Sequence, residues 1–172
     1  MLSLYDIELT YKMKTAIFPG SFDPFTLGHL DVLRSSLSLF DKVIVAVGFN
    51  SAKSGFFDPE TRVEIIKKAV KGLDNVEVCS YRGLTVDLCK EKGAGFIIRG
   101  LRTTTDFELE SVISQANRTM VPGILSVFIP AGHEYSFISS TVVRDLLLNG
   151  GDASRFLPEG VDIKHYLNNR QK

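Results

Sequence analysis

The chain has 172 residues, and its 20 Lys and Arg balance 20 Asp and Glu for a formal net charge of zero. That length suits one ordinary domain, and 44% hydrophobic with 23% charged residues excludes a disordered chain. The even charge balance argues against a broad nucleic-acid or membrane-binding surface, while leaving room for a local basic pocket.

Residues 1–12 stand apart as an N-terminal extension whose structure the sequence leaves open, ahead of one domain over 13–172. Thr15-Ala16-Ile17-Phe18 is an apolar run broken at Pro19-Gly20, which reads as a strand and its end. Leu27, Leu30, Leu33, Leu37 and Phe40 fall at helical spacing and predict a helix over about 28–39. Val43-Ile44-Val45-Ala46-Val47 is continuously apolar, the mark of a strand covered on both faces of a parallel sheet.

Asp58 then suits an N-cap and Pro59 a first helical position, with Val63, Ile66 and Val70 on the inner face. Strand, helix, strand follow over 76–79, 85–91 (ended by Gly93) and 95–99. A long helix over 104–120, a fifth strand over 124–129, a helix over 139–148 and a last helix over 159–168 complete the chain. Five short alternations of strand and helix predict a doubly wound five-stranded parallel α/β sheet. Ligands of such sheets bind beyond the carboxyl ends of the strands, at the topological switch point.

Cys79 and Cys89 form no CxxC pair and read as reduced thiols. No secretory pattern opens the chain, and no apolar run could span a bilayer, so a cytoplasmic protein is expected.

The polar segments sit at the strand ends, where they should converge. Loop 20–29 supplies Gly20, read as a sharp turn, Gly28, read as a close approach, and His29 in the first turn of a helix. Free N–H groups and the positive dipole end favour phosphate there, and a histidine can donate to phosphoryl oxygen as charge shifts. Asp23 reads as a shaper of the loop. Lys53 follows the second strand, Arg99 ends the fourth, and Ser139-Ser140-Thr141 starts a helix. Arg99 on a buried strand must find an anion or water, whereas Arg102 pairs equally well with Asp106. The serine cluster could serve as an N-cap alone. His133 and His165 read as surface residues.

Ser21-Phe22-Asp23-Pro24 with Thr26-Leu27-Gly28-His29 resembles the (H/T)xGH signature of nucleotidylyltransferases. Together with Ile98-Arg99-Gly100-Leu101-Arg102, Asp106-Phe107-Glu108 and Phe137-Ile138-Ser139-Ser140-Thr141, it resembles the bacterial phosphopantetheine adenylyltransferases over about residues 14–168. Tyr135 and Leu109 depart from that family's pattern, which commonly has tryptophan and tyrosine there.

The resemblance implies a Rossmann-like nucleotidylyltransferase fold, a homohexamer, and transfer of the adenylyl group of ATP to 4′-phosphopantetheine with Mg²⁺. It implies His29 at the transferring α-phosphate and Ser21 between the substrates, with Phe22 also at ATP. Lys53, Arg99 and the Thr85 backbone would hold the acceptor. Gly100, Leu101, Arg102 and Glu110 would line the nucleotide site, and Tyr135, Ser136, Phe137, Ile138, Ser139, Ser140 and Thr141 would wrap it. No metal ligands are assigned. The rival readings are a transferase with another acceptor, such as nicotinamide mononucleotide, and a silent nucleotide-binding module.

Overall fold

The computed structural model describes residues 13–49 and 55–170. The extension 1–12 and Lys53 lie outside the described residues.

Among those described, the strands are β1 (Thr15–Gly20), β2 (Lys42–Gly48), β3 (Val76–Tyr81), β4 (Phe96–Leu101) and β5 (Leu125–Pro130). Between and after them run α1 (Leu27–Leu37), α2 (Pro59–Ala69), α3 (Thr85–Lys92), α4 (Thr104–Met120), α5 (Ser140–Leu148) and α6 (Ile163–Arg170). All strand pairs are parallel, in the order β3-β2-β1-β4-β5. This is the doubly wound five-stranded sheet expected from the alternation. No described helix is long and apolar enough to cross a membrane.

Alternate side chains of a strand face opposite ways, so the inner strands feed two cores. Ala16, Phe18, Val43, Val45 and Val47 join buried residues of α1, α2, α5 and α6. Ile17, Ile44, Ala46 and Ile97 meet Val86, Leu88 and Cys89 of α3 on the other face. The helix α4 differs from its neighbours: it contributes no buried residue, and Leu109 and Val112 stand 62% and 65% exposed.

Local chemistry sets most boundaries. The Asp58 side chain accepts from the Thr61 N–H and Pro59 opens α2, as read from the sequence. Gly93 closes α3 in the left-handed region, at φ 63°. Ser139 caps α5, accepting from the Val142 N–H. The last helix begins later than the sequence pattern suggests. Gly160 sits at φ 81° and the Val161 N–H turns back to the Pro158 carbonyl, so a turn occupies those residues and α6 starts at Ile163.

One register difference creates the site. The β1–β2 ladder runs to Gly20↔Val47, whereas β1–β4 pairing stops at Ile17↔Ile97. Beyond that point β1 and β4 part at the middle of the sheet, and a crevice opens between their carboxyl ends.

Candidate active site

The crevice is a cavity of about 340 Å³ at the β1–β4 switch point. Of the residues expected at the site, Ser21, Phe22, His29, Arg99, Gly100, Arg102, Ile138, Ser139, Ser140 and Thr141 line it. Leu101, Glu110, Tyr135, Ser136, Phe137 and Thr85 stand outside that lining. Thr85 is near the carboxyl end of β3, and its hydroxyl lies 2.7 Å from that of Tyr81.

Loop 20–29 departs from a simple glycine turn. Gly20 is the last residue of β1 and its φ is not positive; the left-handed residue is Phe22, at φ 46°. Gly20 is required instead by a close approach. A Cβ there would lie 2.8 Å from the tip of the Phe22 ring. That ring is buried, edge-on to Phe18 at 5.2 Å and to the His29 imidazole at 5.0 Å. Gly28 lies under the carbonyls of Tyr135 and Ile138, each 3.4 Å from where its Cβ would be.

Thr26 ends the loop as the N-cap of α1, and its backbone N–H donates to His29 Nδ1 at 3.0 Å. The Thr26 hydroxyl lies 3.1 Å from the same nitrogen. With Nδ1 accepting, the neutral ring carries its proton on Nε2. Burial first, and the nearby Arg102 charge second, lower the His29 pKa from 6.5 to about 4. The ring is therefore a neutral donor at physiological pH, held in one tautomer.

The guanidiniums are individually tied. Arg99 makes a two-pronged pair with Glu110 of α4, one contact being Nε to Oε2 at 2.5 Å. Its remaining nitrogen donates to the Pro19 carbonyl over 3.2 Å, bridging β4 to β1 where they part. Arg102 pairs with Asp106, Nε to Oδ2 at 3.2 Å, while still lining the cavity.

The sequence reading missed Arg144. It lines the cavity from α5, donating to the Asp23 carbonyl at 2.7 Å and to the Thr141 hydroxyl at 3.1 Å. Its spacing, four residues after Ser140, puts both on one helical face and was the available signal.

Asp23 shapes the loop, as expected. Its carboxylate accepts from the Phe56 and Phe57 N–H groups at 2.6 and 2.9 Å and meets Arg62 at 3.4 Å. Ser140 donates to the Pro24 carbonyl at 2.8 Å, so α5 also braces loop 20–29. Asp31 of α1 accepts from the Gly132 N–H at 2.8 Å, holding the segment after β5 against the start of that helix. His133 and His165 are exposed.

The described residues that line the cavity thus offer three guanidiniums, a neutral imidazole donor and hydroxyls, with no carboxylate among them. Among the described residues, no group of three or more His, Cys, Asp or Glu is placed to hold a metal ion. Such a lining suits a polyanion, with donors where phosphoryl charge would develop.

Fold and lining together define a nucleotide-handling α/β protein, and the family model described as cytidylyltransferase-like matches residues 17–146. The chain belongs to the phosphopantetheine adenylyltransferase family. It is 49% identical over 152 residues to the phosphopantetheine adenylyltransferase of Flavobacterium psychrophilum, covering 88% of this chain and 100% of that protein. With that of Cytophaga hutchinsonii it shares 50% over 145 residues, covering 84% and 97%.

Solved structures add the fold alone. A Vibrio parahaemolyticus protein described as a nicotinate-nucleotide adenylyltransferase superposes with a TM-score of 0.68 at 23% identity, over 92% of this chain and 93% of that one. A bifunctional NMN adenylyltransferase/ADP ribose pyrophosphatase from Francisella tularensis gives 0.65 at 18%, over 85% and 45%.

Proposed function

We propose that residues 13–172 form one adenylyltransferase domain that transfers the adenylyl group of ATP to 4′-phosphopantetheine, yielding 3′-dephospho-coenzyme A and pyrophosphate. One observation carries the chemistry. The switch-point cavity gathers His29, locked as a neutral Nε2–H donor, with Arg99, Arg102 and Arg144 and no carboxylate. The acceptor rests on kinship with relatives named for that activity.

The attacking group is a phosphate monoester, already anionic near pH 7, so the reaction needs alignment and charge neutralisation rather than a general base. In this reading His29 donates to the α-phosphoryl oxygen as charge builds on it. Ser21 lies between the substrates, and Phe22 backs the imidazole. Gly100, Leu101, Arg102 and residues 135–141 take the nucleotide, with the N-terminus of α5 toward its phosphates.

Arg144 joins them as a cation on the same helix. Arg99 takes the acceptor's phosphate, held in orientation by Glu110, with Lys53 and the Thr85 backbone beside the acceptor. Magnesium would arrive with the nucleotide: three guanidiniums and no carboxylate do not fit a resident ion, and no step is assigned to it.

We further propose a homohexamer in the cytoplasm. The apolar outer face of α4, with Leu109 and Val112 bare, supports self-association, and the two free cysteines suit a reducing compartment.

The test is release of pyrophosphate by the purified protein from ATP, Mg²⁺ and a panel of acceptors. Turnover with 4′-phosphopantetheine is expected. Turnover with nicotinamide mononucleotide instead would reassign the acceptor, and nucleotide binding without turnover on any acceptor would make the protein a silent module.

A further inference from the structure

Two buried charges remain outside that account. Arg62 of α2 and Asp23 of loop 20–29 are each only 6% exposed, and Arg62 does not line the cavity. A buried guanidinium is costly unless it is hydrogen-bonded and paired, and here each of its three nitrogens donates to a backbone carbonyl. Nε and one terminal nitrogen both donate to the Phe57 carbonyl, at 2.8 and 2.6 Å. The other terminal nitrogen donates to the Ser21 carbonyl at 3.3 Å. The Asp23 carboxylate, beside Nε at 3.4 Å, spends its lone pairs on the Phe56 and Phe57 N–H groups.

The pair has no net charge to offer a substrate; its effect is on backbone geometry. Phe22 sits at φ 46°, a conformation a bulky residue keeps only where its surroundings impose it. Its neighbours supply the constraint. The carbonyl before it, of Ser21, is held by Arg62, and the carbonyl after it, of Asp23, is held by Arg144. With both carbonyls engaged by guanidiniums, the Phe22 ring is fixed over Gly20 and edge-on to His29 at 5.0 Å. Gly55 belongs to the same lock: a Cβ there would fall 1.6 Å from the Arg62 guanidinium. The same Cβ would lie 2.9 Å from the Asp23 carboxylate, so Gly55 leaves room for both members of the pair.

We infer that Arg62 is a positioning residue for the transfer reaction: through the Ser21 carbonyl and the Asp23 carboxylate it fixes the Phe22 turn, and through Phe22 it fixes the His29 imidazole. This role rests on the adenylyl-transfer reading for its kinetic consequence, but not for its structural one.

The experiment compares four variants. R62M removes the lock. R62K keeps the positive charge beside Asp23 but cannot span the Ser21 and Phe57 carbonyls with a planar fork. G55A keeps both charges and drives a methyl group into the guanidinium. I66A removes buried volume from the same helix, where Ile66 is fully buried, without touching the lock.

R62M and G55A should lower kcat by roughly 10²-fold with the KM for ATP changed less than about threefold, since a misplaced group costs rate at the transition state. R62K should recover part of the loss. I66A should lower the thermal midpoint while leaving kcat within about twofold, which separates positioning from general stability.

A second readout needs no turnover. In the NMR spectrum of the ligand-free protein, the His29 ring resonances should shift in G55A and R62M as the edge-on Phe22 ring moves, while the Nε2–H tautomer set by the Thr26 N–H persists. Wild-type kcat in G55A and R62K, or an unchanged His29 spectrum in G55A, would overturn the inference. A wild-type protein inactive on every acceptor would overturn the adenylyl-transfer reading instead, with the spectrum still deciding the lock.

Discussion

His29 and Thr26 fix each other across the first turn of α1, the Thr26 N–H donating to His29 Nδ1 over 3.0 Å. The bond satisfies an orphan N–H at the helix start and, in the same stroke, leaves Nε2 as the ring's only donor. His29→Ala should therefore cut kcat by roughly 10²–10³, as for loss of one transition-state donor, with the KM for ATP nearly unchanged. His29→Gln, which can place an amide N–H near the Nε2 position, should recover part of that loss. Steady-state kinetics of both variants check this, and a loss confined to KM would remove the role.

The lowered pKa of His29 makes a pH prediction with a definite sign. Burial first, and the Arg102 charge second, hold the folded value at about 4 against an ordinary 6.5. Below pH 6.5 the unfolded chain takes up a proton at this residue that the folded protein refuses. The residue's contribution to stability is therefore fully present above 6.5 and is lost as the pH falls from 6.5 toward 4. The pH–rate profile should show no inflection from His29 between about 5.5 and 7.5, where an ordinary histidine would place one. An NMR titration of the His29 ring, followed beside thermal melts, reads both effects.

Gly20→Ala tests the packing beneath that ring. The new methyl would lie 2.8 Å from the Phe22 ring tip, with Phe22 itself held at φ 46°. Overpacking of this kind costs about 1–3 kcal/mol. Because Phe22 leans on His29, the variant should also lose kcat, whereas Gly28→Ala, whose Cβ would stand 3.4 Å from its nearest neighbours, should be milder. Chemical denaturation and kcat measured on the same preparations distinguish the two.

These contacts mark where sequence patterns stop being informative. The sheet was legible because Val43 to Val47 is apolar throughout and because Asp58-Pro59, Gly93 and Ser139 carry the punctuation of helix ends. Loop 20–29 was legible as a phosphate-type loop, yet its left-handed residue is Phe22 and not a glycine, since ring packing and the two held carbonyls outweigh local preference.

Arg62 was invisible for a related reason. On a helix surface, arginine normally signals solvent, and only the fold brings Asp23 and Phe57 around it. Arg99 looked free to meet an anion, but its partner Glu110 sits on α4, a pairing that the sequence order of strand and helix does not reveal. The late start of α6 followed from Gly160, whose positive φ favours a turn over a first helical turn.

The outer face of α4 yields a prediction about assembly. Val112 is 65% exposed on a helix that contributes nothing to either core. A helix with that face against solvent in a monomer would be an association hazard, and against a second copy it would bury the patch. If the proposed hexamer assembles through this face, Val112→Asp should give smaller species than the wild type by light scattering, while circular dichroism stays unchanged. A wild-type monomer would end the proposal of assembly through this face.

Arg99 and Glu110 allow the sharpest test of the proposal that Arg99 takes the acceptor's phosphate. Arg99→Met alone removes the cation and strands the Glu110 carboxylate, itself largely buried, near a cavity meant for anions. Breaking one side of such a pair is more damaging than removing both, because the surviving charge is uncompensated. The KM for 4′-phosphopantetheine should rise at least about tenfold in Arg99→Met, the scale of one lost charged contact. It should rise less in the Arg99→Met/Glu110→Gln double variant. Glu110→Gln alone keeps the cation but loosens its two-pronged hold, so its effect should be the smallest of the three. Additive effects across the cycle would mean that Glu110 does not orient Arg99, and an unchanged KM in Arg99→Met would remove Arg99 from the acceptor site.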